Sequence, residues 1–385
     1  MKKIIFLIIC VLLLSGCSDY RELSDMAMIS NIAIDKEDDK YKVIVQVLDS
    51  SGSSSGSSES SVSPSVTVYD STGKTLHEAF RNVTLESPKQ LYIGHVDTVL
   101  VGETAVKEGV SEFIDFILRD PEMEKDFNLI ISSEPVKDAM NVLPPLVSIP
   151  SENISSSIEI ASEIQGMVTN VTFDEFVSNI LVKGIDPVLP TLYIKKVETE
   201  NEEINPKKRL VLSKKLGIFK DDKLVSYLND DASLGYNLLN NEGTSSIISF
   251  KCNKEDYASI ELLKAKSGFT YDKDKNVIKI KMDLTGTLSE LNCNMDISKE
   301  KEIKKLEDML KKRIKEILDE MITSLKENNS DFVGIGKYLY QNDYKYYEKN
   351  KDKLNDLIKD IKQEYDINIT YTQKTSIKRG DEKYW

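Results

Sequence analysis

The apolar segment at the N-terminus is the feature that most limits what this chain can fold into. It runs from Ile4 to Leu14 without a charged residue and follows Lys2 and Lys3. A membrane-spanning helix needs about 20 apolar residues, so this segment is too short to cross a bilayer. Its organisation is that of a secretory signal peptide, which is removed from the mature protein. Because no later run approaches spanning length, we expect the rest of the chain to fold as soluble domains.

The segment ends at Leu14-Ser15-Gly16-Cys17, which matches the lipobox of bacterial lipoproteins. We therefore predict that residues 1–16 are a lipoprotein signal peptide and that the Cys17 thiol receives a diacylglyceryl group. The alternative is an ordinary signal peptide, or an uncleaved anchor, with Cys17 unmodified. Two acyl chains suffice for stable attachment, because each buried methylene contributes about 0.8 kcal/mol. Such a lipid would hold the protein on a membrane without a transmembrane helix.

The formal net charge of −13 disfavours two classes of partner. Phosphate binding needs clustered Lys and Arg, so this acidic chain is a poor candidate for binding nucleic acid. It is an equally poor candidate for electrostatic adhesion to anionic lipid. With 40% hydrophobic residues, the chain is long enough for two or three domains with their own cores.

Residues with metal-binding or redox chemistry are few. Apart from the signal segment and the lipidation site, the chain contains Cys252 and Cys293. In an exported protein these two cysteines either form a disulfide or remain as buried free thiols, and their spacing does not decide between the two. No Cys/His pattern of a structural metal site occurs. We therefore predict that the protein holds no metal and no cofactor.

A catalytic arrangement is not evident. His95 lies in a β-rich run and is interpreted as a hydrogen-bonded structural residue, whereas His77 falls on the polar side of a predicted helix and is interpreted as solvated. A Ser-His-Asp arrangement needs a histidine, and both histidines have these plainer interpretations; the chain also has no Gly-rich phosphate loop. Glu122 and Glu124 are candidates for a carboxylate pair, but they belong to a charged helix terminus. The sequence therefore predicts a protein that is not an enzyme.

The first part of the chain alternates β-rich runs with amphipathic helices. Thr172 and Glu175 have the spacing of a capping box, which predicts the start of one of these helices. Alternation of this kind favours a mixed sheet with helices packed on it. β-Branched runs predict strands at 41–48, 66–69, 91–101, 127–132 and 191–197, and apolar spacing predicts helices near 75–83, 109–118 and 172–182.

A tract rich in Ser and Gly separates the first two of these strands. Residues 50–65 cannot bury apolar surface and have the composition of a flexible coil. The tract is either a linker between domains or a long loop inside a sheet. A strand-like stretch resumes at Val66, so we favour the loop.

A charged, apolar-poor stretch at 198–208 indicates a domain boundary. We place an N-terminal α+β part, of one domain or two, at 17–200 and a C-terminal α+β domain at 201–385. In the second part, residues 277–284 alternate apolar and polar, which predicts a strand with one buried face. Other strands are predicted at 210–212, 216–219, 224–228, 247–252 and 367–371, with amphipathic helices at 298–326 and 344–364.

These patterns predict an α+β fold with mixed or antiparallel sheets and packed helices in two or three successive domains. Several segments, in their order behind the lipobox, also resemble one known family, the Ger(x)C lipoproteins, which are the C subunits of GerA-type spore germinant receptors. Ser18 departs from the resemblance, because the family more often has an aromatic residue directly after the cysteine. The segments that resemble the family are residues 19–23, 27–35, 73–79, 92–95, 330–336 and 377–380, together with Arg119-Asp120-Pro121-Glu122.

The resemblance implies a subunit of a receptor in the inner membrane of the dormant spore. The receptor has two integral-membrane subunits, A and B, and this type of lipoprotein is anchored on the outer face and required for germination in response to nutrients. The family's C subunits are not enzymes, so no catalytic residues transfer. Arg119, Asp120 and Glu122 are candidates for partner contact, although a helix-capping or internal salt-bridge role competes with that interpretation.

Two other functions are compatible with a lipid anchor. A solute-binding lipoprotein of an importer would have a bilobed frame with more regular βα repeats than this sequence shows. A membrane-tethered hydrolase would need the nucleophile and histidine arrangement that the sequence lacks. Stabilisation of the isolated soluble part by nutrients would favour the solute-binding alternative.

Overall fold

The structure, a computed structural model, has the α+β organisation that the sequence predicts, with mixed sheets and packed helices. Three expectations from the sequence lie outside the described residues: the signal peptide with Cys17, the Ser/Gly tract and the segment 377–380. The structure describes residues 22–48, 66–144, 149–199 and 207–372.

The first part of the chain builds an eight-stranded mixed sheet in the order β3-β2-β1-β5-β6-β8-β9, with β4 also paired to β1. β1 is antiparallel to β2 and parallel to β4 and β5. β1 therefore lies in the interior of the sheet, with neighbouring strands on both sides. The strands, with β7 outside this sheet, are β1 (Met26–Glu37), β2 (Lys40–Leu48), β3 (Val66–Gly73), β4 (Gln90–Tyr92), β5 (Thr98–Gly102), β6 (Asn128–Ser132), β7 (Val188–Leu189), β8 (Thr191–Lys196) and β9 (Lys208–Leu212).

Helices cover both faces of this sheet. On one face α1, α3 and α6 pack against alternate residues of β1, β2 and β5, and on the other face α4 and α5 pack against the intervening ones. Thr172 and Glu175 make both hydrogen bonds of the capping box at the start of α6, which confirms that prediction. The helices are α1 (Leu76–Val83), α2 (Glu103–Glu108), α3 (Ser111–Arg119), α4 (Val136–Met140), α5 (Pro150–Ile164) and α6 (Phe173–Leu181).

The strand predicted at 91–101 is two strands, β4 and β5, separated by a turn. β4 pairs with the first residues of β1, and β5 pairs with later residues of β1, from Asn31 to Ile34. His95 lies in the intervening turn, with an exposed side chain that is 3.7 Å from Glu124. The prediction that His95 lies within a strand is therefore wrong, because β4 and β5 pair with different residues of β1 and a turn separates them.

The second part contains a four-stranded sheet in the order β12-β13-β14-β15, whose last pair is parallel. The long helix α8 packs its apolar stripe, from Leu306 to Leu325, against this sheet and α7. The predicted alternation over 277–284 is confirmed. The elements are β10 (Gly217–Lys220), β11 (Lys223–Tyr227), α7 (Asp230–Leu239), β12 (Ile247–Lys251), β13 (Tyr257–Asp272), β14 (Val277–Leu291), α8 (Glu300–Glu327), α9 (Ile335–Asn342), α10 (Tyr344–Asn350), α11 (Leu354–Lys359) and β15 (Lys362–Tyr371).

The second helix predicted in this part, at 344–364, is wrong in extent. It is divided into α10 and α11 by a 3-10 turn at Lys351–Lys353, and β15 already begins at Lys362. Ten residues of β15 pair with β14, from Lys362 opposite Val277 to Tyr371 opposite Gly286. This long-range pairing decides the conformation of a segment whose local spacing also suits a helix.

The two parts are connected through a small sheet and through β9. β9 follows the charged stretch at 198–208 but pairs with β8 in the first sheet. β7, from the first part, pairs with β10, and β10 with β11. Within β10, Ile218 faces the core of the second part and Phe219 faces the core of the first. The two cores therefore share one strand.

Cys252 and Cys293, which the sequence leaves as a disulfide or two thiols, are joined in a disulfide. Their Cα atoms are 6.2 Å apart, in the range that a disulfide requires. Cys252 directly follows β12 and Cys293 lies just beyond β14. The crosslink therefore ties together the two strands on either side of β13.

Candidate functional site

The first sheet has an edge, here named the anchor edge, at which its parallel strands begin. Met26 of β1 is aligned with Gln90 of β4, and Thr98 of β5 with Asn128 of β6. β2 ends and β3 begins at the same edge, so both ends of the Ser/Gly tract attach there. The chain from Cys17 to Leu23 spans at most about 20 Å even when fully extended. A lipid on Cys17 would therefore keep this edge close to a membrane surface.

A groove opens between α1 and α3 and leads to the anchor edge. The C-terminal ends of both helices point toward this edge. α1 follows the far end of β3 and precedes β4, and α3 precedes β6; both of these strands begin at the anchor edge. The floor is formed by Phe80 and Phe116, whose rings stack with centroids 5.2 Å apart, and His77 contacts Phe116 edge-on. The groove comprises two adjoining cavities of about 750 and 220 Å³. We name it the α1–α3 groove.

The segment Arg119-Asp120-Pro121-Glu122 forms the corner at which α3 ends beside this groove. The Arg119 guanidinium donates to Asp115 one turn earlier, at 2.8 Å. One carboxylate oxygen of Asp120 accepts the backbone N–H groups of Glu122 and Met123, at 2.9 and 3.2 Å. Arg119 thus forms an internal salt bridge and Asp120 caps the end of the helix, which are the two roles considered above as alternatives to partner contact. Arg119 and Asp115 remain exposed, so their ion pair contributes little to stability.

The two walls of the groove differ in charge. On the α3 wall, Glu112 accepts a hydrogen bond from the Tyr41 hydroxyl, and Asp115 is paired with Arg119. Burial and the neighbouring carboxylate raise the pKa of Tyr41 above its usual value. On the α1 wall, Lys74 and Arg81 form no ion pair with any other described residue. The lining of the groove as a whole carries both signs of charge, with Lys74, Arg81 and Arg119 against Glu112, Asp115, Asp120 and Glu122.

The histidines and carboxylates considered for catalysis do not form a catalytic arrangement. His77 is exposed on α1, as predicted, and His95 lies in the turn between β4 and β5. Glu124, one member of the suggested carboxylate pair, faces His95. Among the described residues no three His, Cys, Asp or Glu side chains are grouped to hold a metal ion. The described helices also include none with the length and apolar content of a membrane span.

A second polar cluster lies between the two parts of the chain. The sequence alone does not predict it. Both carboxylate oxygens of the buried Asp331 accept backbone N–H groups at the start of α9, from Gly334, Ile335 and Gly336 at 2.7–2.9 Å. Asp186, from the first part, accepts the N–H of Asp331 at 2.6 Å. We name this cluster the carboxylate junction. It satisfies helix N–H groups that have no partner within the helix.

Asp186 also holds the loop between β10 and β11. Its carboxylate accepts the Lys220 ammonium and the backbone N–H of Asp221, both at 3.1 Å. Burial, with the nearby charge of Asp186, raises the pKa of Asp331 to about 6, although the three backbone donors oppose the rise. The junction is thus a folding element with a buried, titratable carboxyl group.

Asp331→Asn is expected to change how stability depends on pH. Because the folded state keeps the Asp331 proton up to about pH 6 while the unfolded chain loses it near pH 4, the wild-type chain loses stability as pH rises through this interval. The shift corresponds to about 3 kcal/mol. In urea unfolding from pH 4 to 7, the stability of the wild type relative to the variant should fall by about this amount. Burial raises the pKa of Glu242 to about 7, but Glu242 titrates in both proteins, so its contribution cancels in this comparison. Parallel pH profiles would contradict the assignment.

Comparison with known proteins agrees with the fold. Residues 19–194 match the family described as "Spore germination protein N-terminal domain", and residues 214–379 match "Spore germination B3/ GerAC like, C-terminal". Spore germination protein KC of Bacillus subtilis is 25% identical, over 99% of this chain and 97% of its own. Spore germination protein GerQC of Bacillus cereus is 22% identical, over 88% of this chain and 89% of its own.

A solved structure has the same fold. The crystal structure of the GerBC protein superimposes with a TM-score of 0.55, at 19% identity, over 89% of this chain and 97% of that one. The two family matches together span nearly all of the described residues, in the order in which the two parts occur here. The chain belongs to the Ger(x)C family of germinant receptor subunits and has a role in spore germination.

Proposed function

We propose that this protein is the lipid-anchored, non-enzymatic C subunit of a nutrient germinant receptor at the spore inner membrane. Cys17 carries the lipid, and the described domains contact the integral-membrane A and B subunits on the outer face. The lipobox at Leu14–Cys17 carries this proposal, together with the full-length similarity to Spore germination protein KC. The names Spore germination protein A3 and Spore germination protein B3 among the relatives are consistent with a receptor of several subunits.

Two structural observations support this assignment. The disulfide between Cys252 and Cys293 is a crosslink that persists in oxidising compartments, as expected outside the cytoplasm. The anchor edge places the start of β1, and with it the attachment to residues 17–22, beside the α1–α3 groove. A protein held in this way presents a binding surface to whatever lies in the same membrane.

Cys17→Ala is expected to release the protein from spore membranes and to abolish most of the response to nutrients. Without the cysteine thiol no diacylglyceryl group is attached, and the chain loses the two acyl chains that make binding stable. Fractionation of spores and a nutrient germination assay measure both effects. Cys10→Ala, in the apolar segment, is the matched control and should leave both unchanged. Normal fractionation and germination of the Cys17 variant would rule the proposal out.

A nutrient thermal-shift series separates this function from that of a solute-binding lipoprotein. A ligand that binds the folded state raises its stability by mass action, and the increase grows with ligand concentration. The germinant receptor subunit is expected to show no concentration-dependent increase with amino acids or sugars when its membrane partners are absent. Saturable stabilisation by one nutrient would favour the importer function instead.

A further inference from the structure

We propose that the open edge of β9 binds an extended segment of a partner protein, which adds a strand to the first sheet and places apolar side chains against α5. Acidic residues at the ends of that segment face the basic residues at the ends of β9. The inference goes beyond the proposed function, because it does not depend on a lipid at Cys17. It names a binding surface and the chemistry of the segment that fits it.

β9 leaves a row of main-chain groups unpaired. It is the last strand of the first sheet, and no described strand pairs with its outer side. The Ser213 N–H donates to the Thr191 carbonyl and the Val197 N–H to the Lys207 carbonyl, both at 2.8 Å. Because main-chain groups alternate in direction along a strand, the odd-numbered residues of β9 face β8. The N–H and carbonyl groups of residues 208, 210 and 212 therefore point to the open side, where an extended chain can pair with them.

An apolar groove lies between this edge and α5. Its volume is about 550 Å³, and none of the side chains that line it is charged. Leu210 and Leu212 of β9 form one side and are half-buried. Ile160 and Ile164 of α5 form the other side and are 57% and 51% exposed. Every second side chain of an added strand would enter this groove and remove these apolar surfaces from water.

The middle of β9 lacks the features that usually keep an exposed edge from pairing. Such edges carry charge or proline in their centre, contain a bulge, or are covered by another element. The charged residues of β9 lie at its start, and its centre and end are Leu210-Val211-Leu212. Its pairing with β8 is regular throughout. This edge is therefore suited to accept a further strand.

The charges around β9 favour an acidic partner segment over a second copy of this chain. Residues 207–215 contain five basic residues and no acidic one. Two of the five have contacts of their own, whereas Lys208, Lys214 and Lys215 form no ion pair with any other described residue. The acidic residues of α5 are not among those that line the groove. Two β9 strands side by side would bring charges of one sign together, while acidic groups at the ends of a partner segment complement them.

A synthetic peptide tests strand addition. The probe has valine at alternate central positions and glutamate at both ends, and the protein is the full chain in phosphatidylcholine nanodiscs. Binding is expected to slow hydrogen exchange at the Leu210 and Leu212 N–H groups, whereas the Val211 N–H is already bonded to β8. A peptide methylated at the pairing N–H groups keeps its side chains and should bind about tenfold more weakly. Equal affinities of the two peptides, or unchanged exchange, would overturn the proposal.

Variants of the chain locate the site. Leu210→Pro removes an outward N–H without removing a bond to β8, so it should abolish peptide binding, while Leu210→Val keeps the donor and should bind the peptide. Ile160→Glu, in α5, is expected to weaken binding about tenfold, because it buries a charge under the added strand. Ile247→Glu in β12, where the isoleucine is 55% exposed, is the matched control and should have no effect. Equal effects of the two glutamate variants would exclude the groove, whether or not Leu210→Pro folds.

Two further measurements test the choice of occupant. A peptide that ends in lysine instead of glutamate should bind about tenfold more weakly, and equal binding would overturn the acidic character of the partner. Concentration-dependent dimerisation of the wild-type chain, lost in Ile160→Glu but not in Ile247→Glu, would show that a second copy occupies the edge and would also overturn the proposal. None of these measurements alters Cys17, so their failure is distinct from a failure of the lipid anchor, which fractionation of the Cys17 variant tests.

Discussion

Asp331→Ala is expected to lower the free energy of unfolding by about 3 kcal/mol or more. The Asp331 carboxylate accepts the N–H groups of Gly334, Ile335 and Gly336 inside the protein. Alanine leaves the N–H groups of Ile335 and Gly336 without an acceptor, while Gly334 keeps only the backbone carbonyl of residue 331, at 3.1 Å. Each unsatisfied buried group costs about 1–3 kcal/mol. The expected loss is a large fraction of the stability of a typical domain.

Urea unfolding of the chain produced without residues 1–17, followed by circular dichroism, measures this loss at neutral pH. Asp352→Ala is a suitable control, because Asp352 is exposed in the 3-10 turn between α10 and α11. Its effect should remain within about 0.5 kcal/mol, as for other surface substitutions. If the Asp331 variant loses no more than the control, the carboxylate junction does not stabilise the fold as described.

Gly184→Ala is expected to destabilise the protein by about 2–5 kcal/mol, from backbone strain and overpacking combined. Gly184 has a φ of +79°, in the left-handed region that a residue with a Cβ adopts only at a cost. An added methyl group would also collide with the backbone of Gly336 and Lys337 at the start of α9. Since backbone atoms cannot rotate away as a side chain does, the two parts of the chain would have to separate locally.

The control for this second variant is Gly268→Ala in β13. Nothing lies within 4 Å of the position that its Cβ would take, and its backbone needs no positive φ. Alanine is therefore expected to be neutral or to stabilise the strand by up to about 1 kcal/mol. Thermal unfolding of both variants measures the two stability changes. A loss of stability for Gly184→Ala, without a loss for Gly268→Ala, would support the tight contact. Equal effects would mean that the contact between Gly184 and Gly336 is not tight.

Elements with strong local signals could be predicted from the sequence. The alternation over 277–284 places Ile278, Ile280, Met282 and Leu284 in the core, as the structure confirms. The amphipathic spacing that predicts a helix at 298–326 corresponds to α8. In both cases the residues that face the core are decided by the period of the element itself, 2 for a strand and 3.6 for a helix.

Long-range pairing decided the elements that were predicted wrongly. Residues 344–364 have helical spacing, yet the chain leaves the helix at Lys359 because residues 362–371 complete the sheet beside β14. In the run 91–101, the turn at His95 arises because β1 pairs with two successive strands at different heights. Neither cause is visible within a short window of sequence.

The candidate site was predictable only in part. Arg119-Asp120-Pro121-Glu122 was recognised through a family resemblance, and its capping contacts agree with a helix terminus. The floor of the groove was not predicted, because Phe80 and Phe116 lie on different helices and meet only after both pack on the sheet. The carboxylate junction joins Asp186 to Asp331 across 145 residues, a distance over which sequence spacing carries no information.

The placement of β1 has a mechanical consequence. β1 receives the chain from residue 22 and is bonded on both sides, to β2 along its length and to β4 and β5 on the other side. A force applied through the preceding residues acts along the strand, so the hydrogen bonds of both neighbours resist it together in shear. A strand at the edge of the sheet would instead open one bond at a time. If Cys17 carries a lipid, tension between a membrane and the rest of the protein would therefore be shared by β1 and its three neighbours.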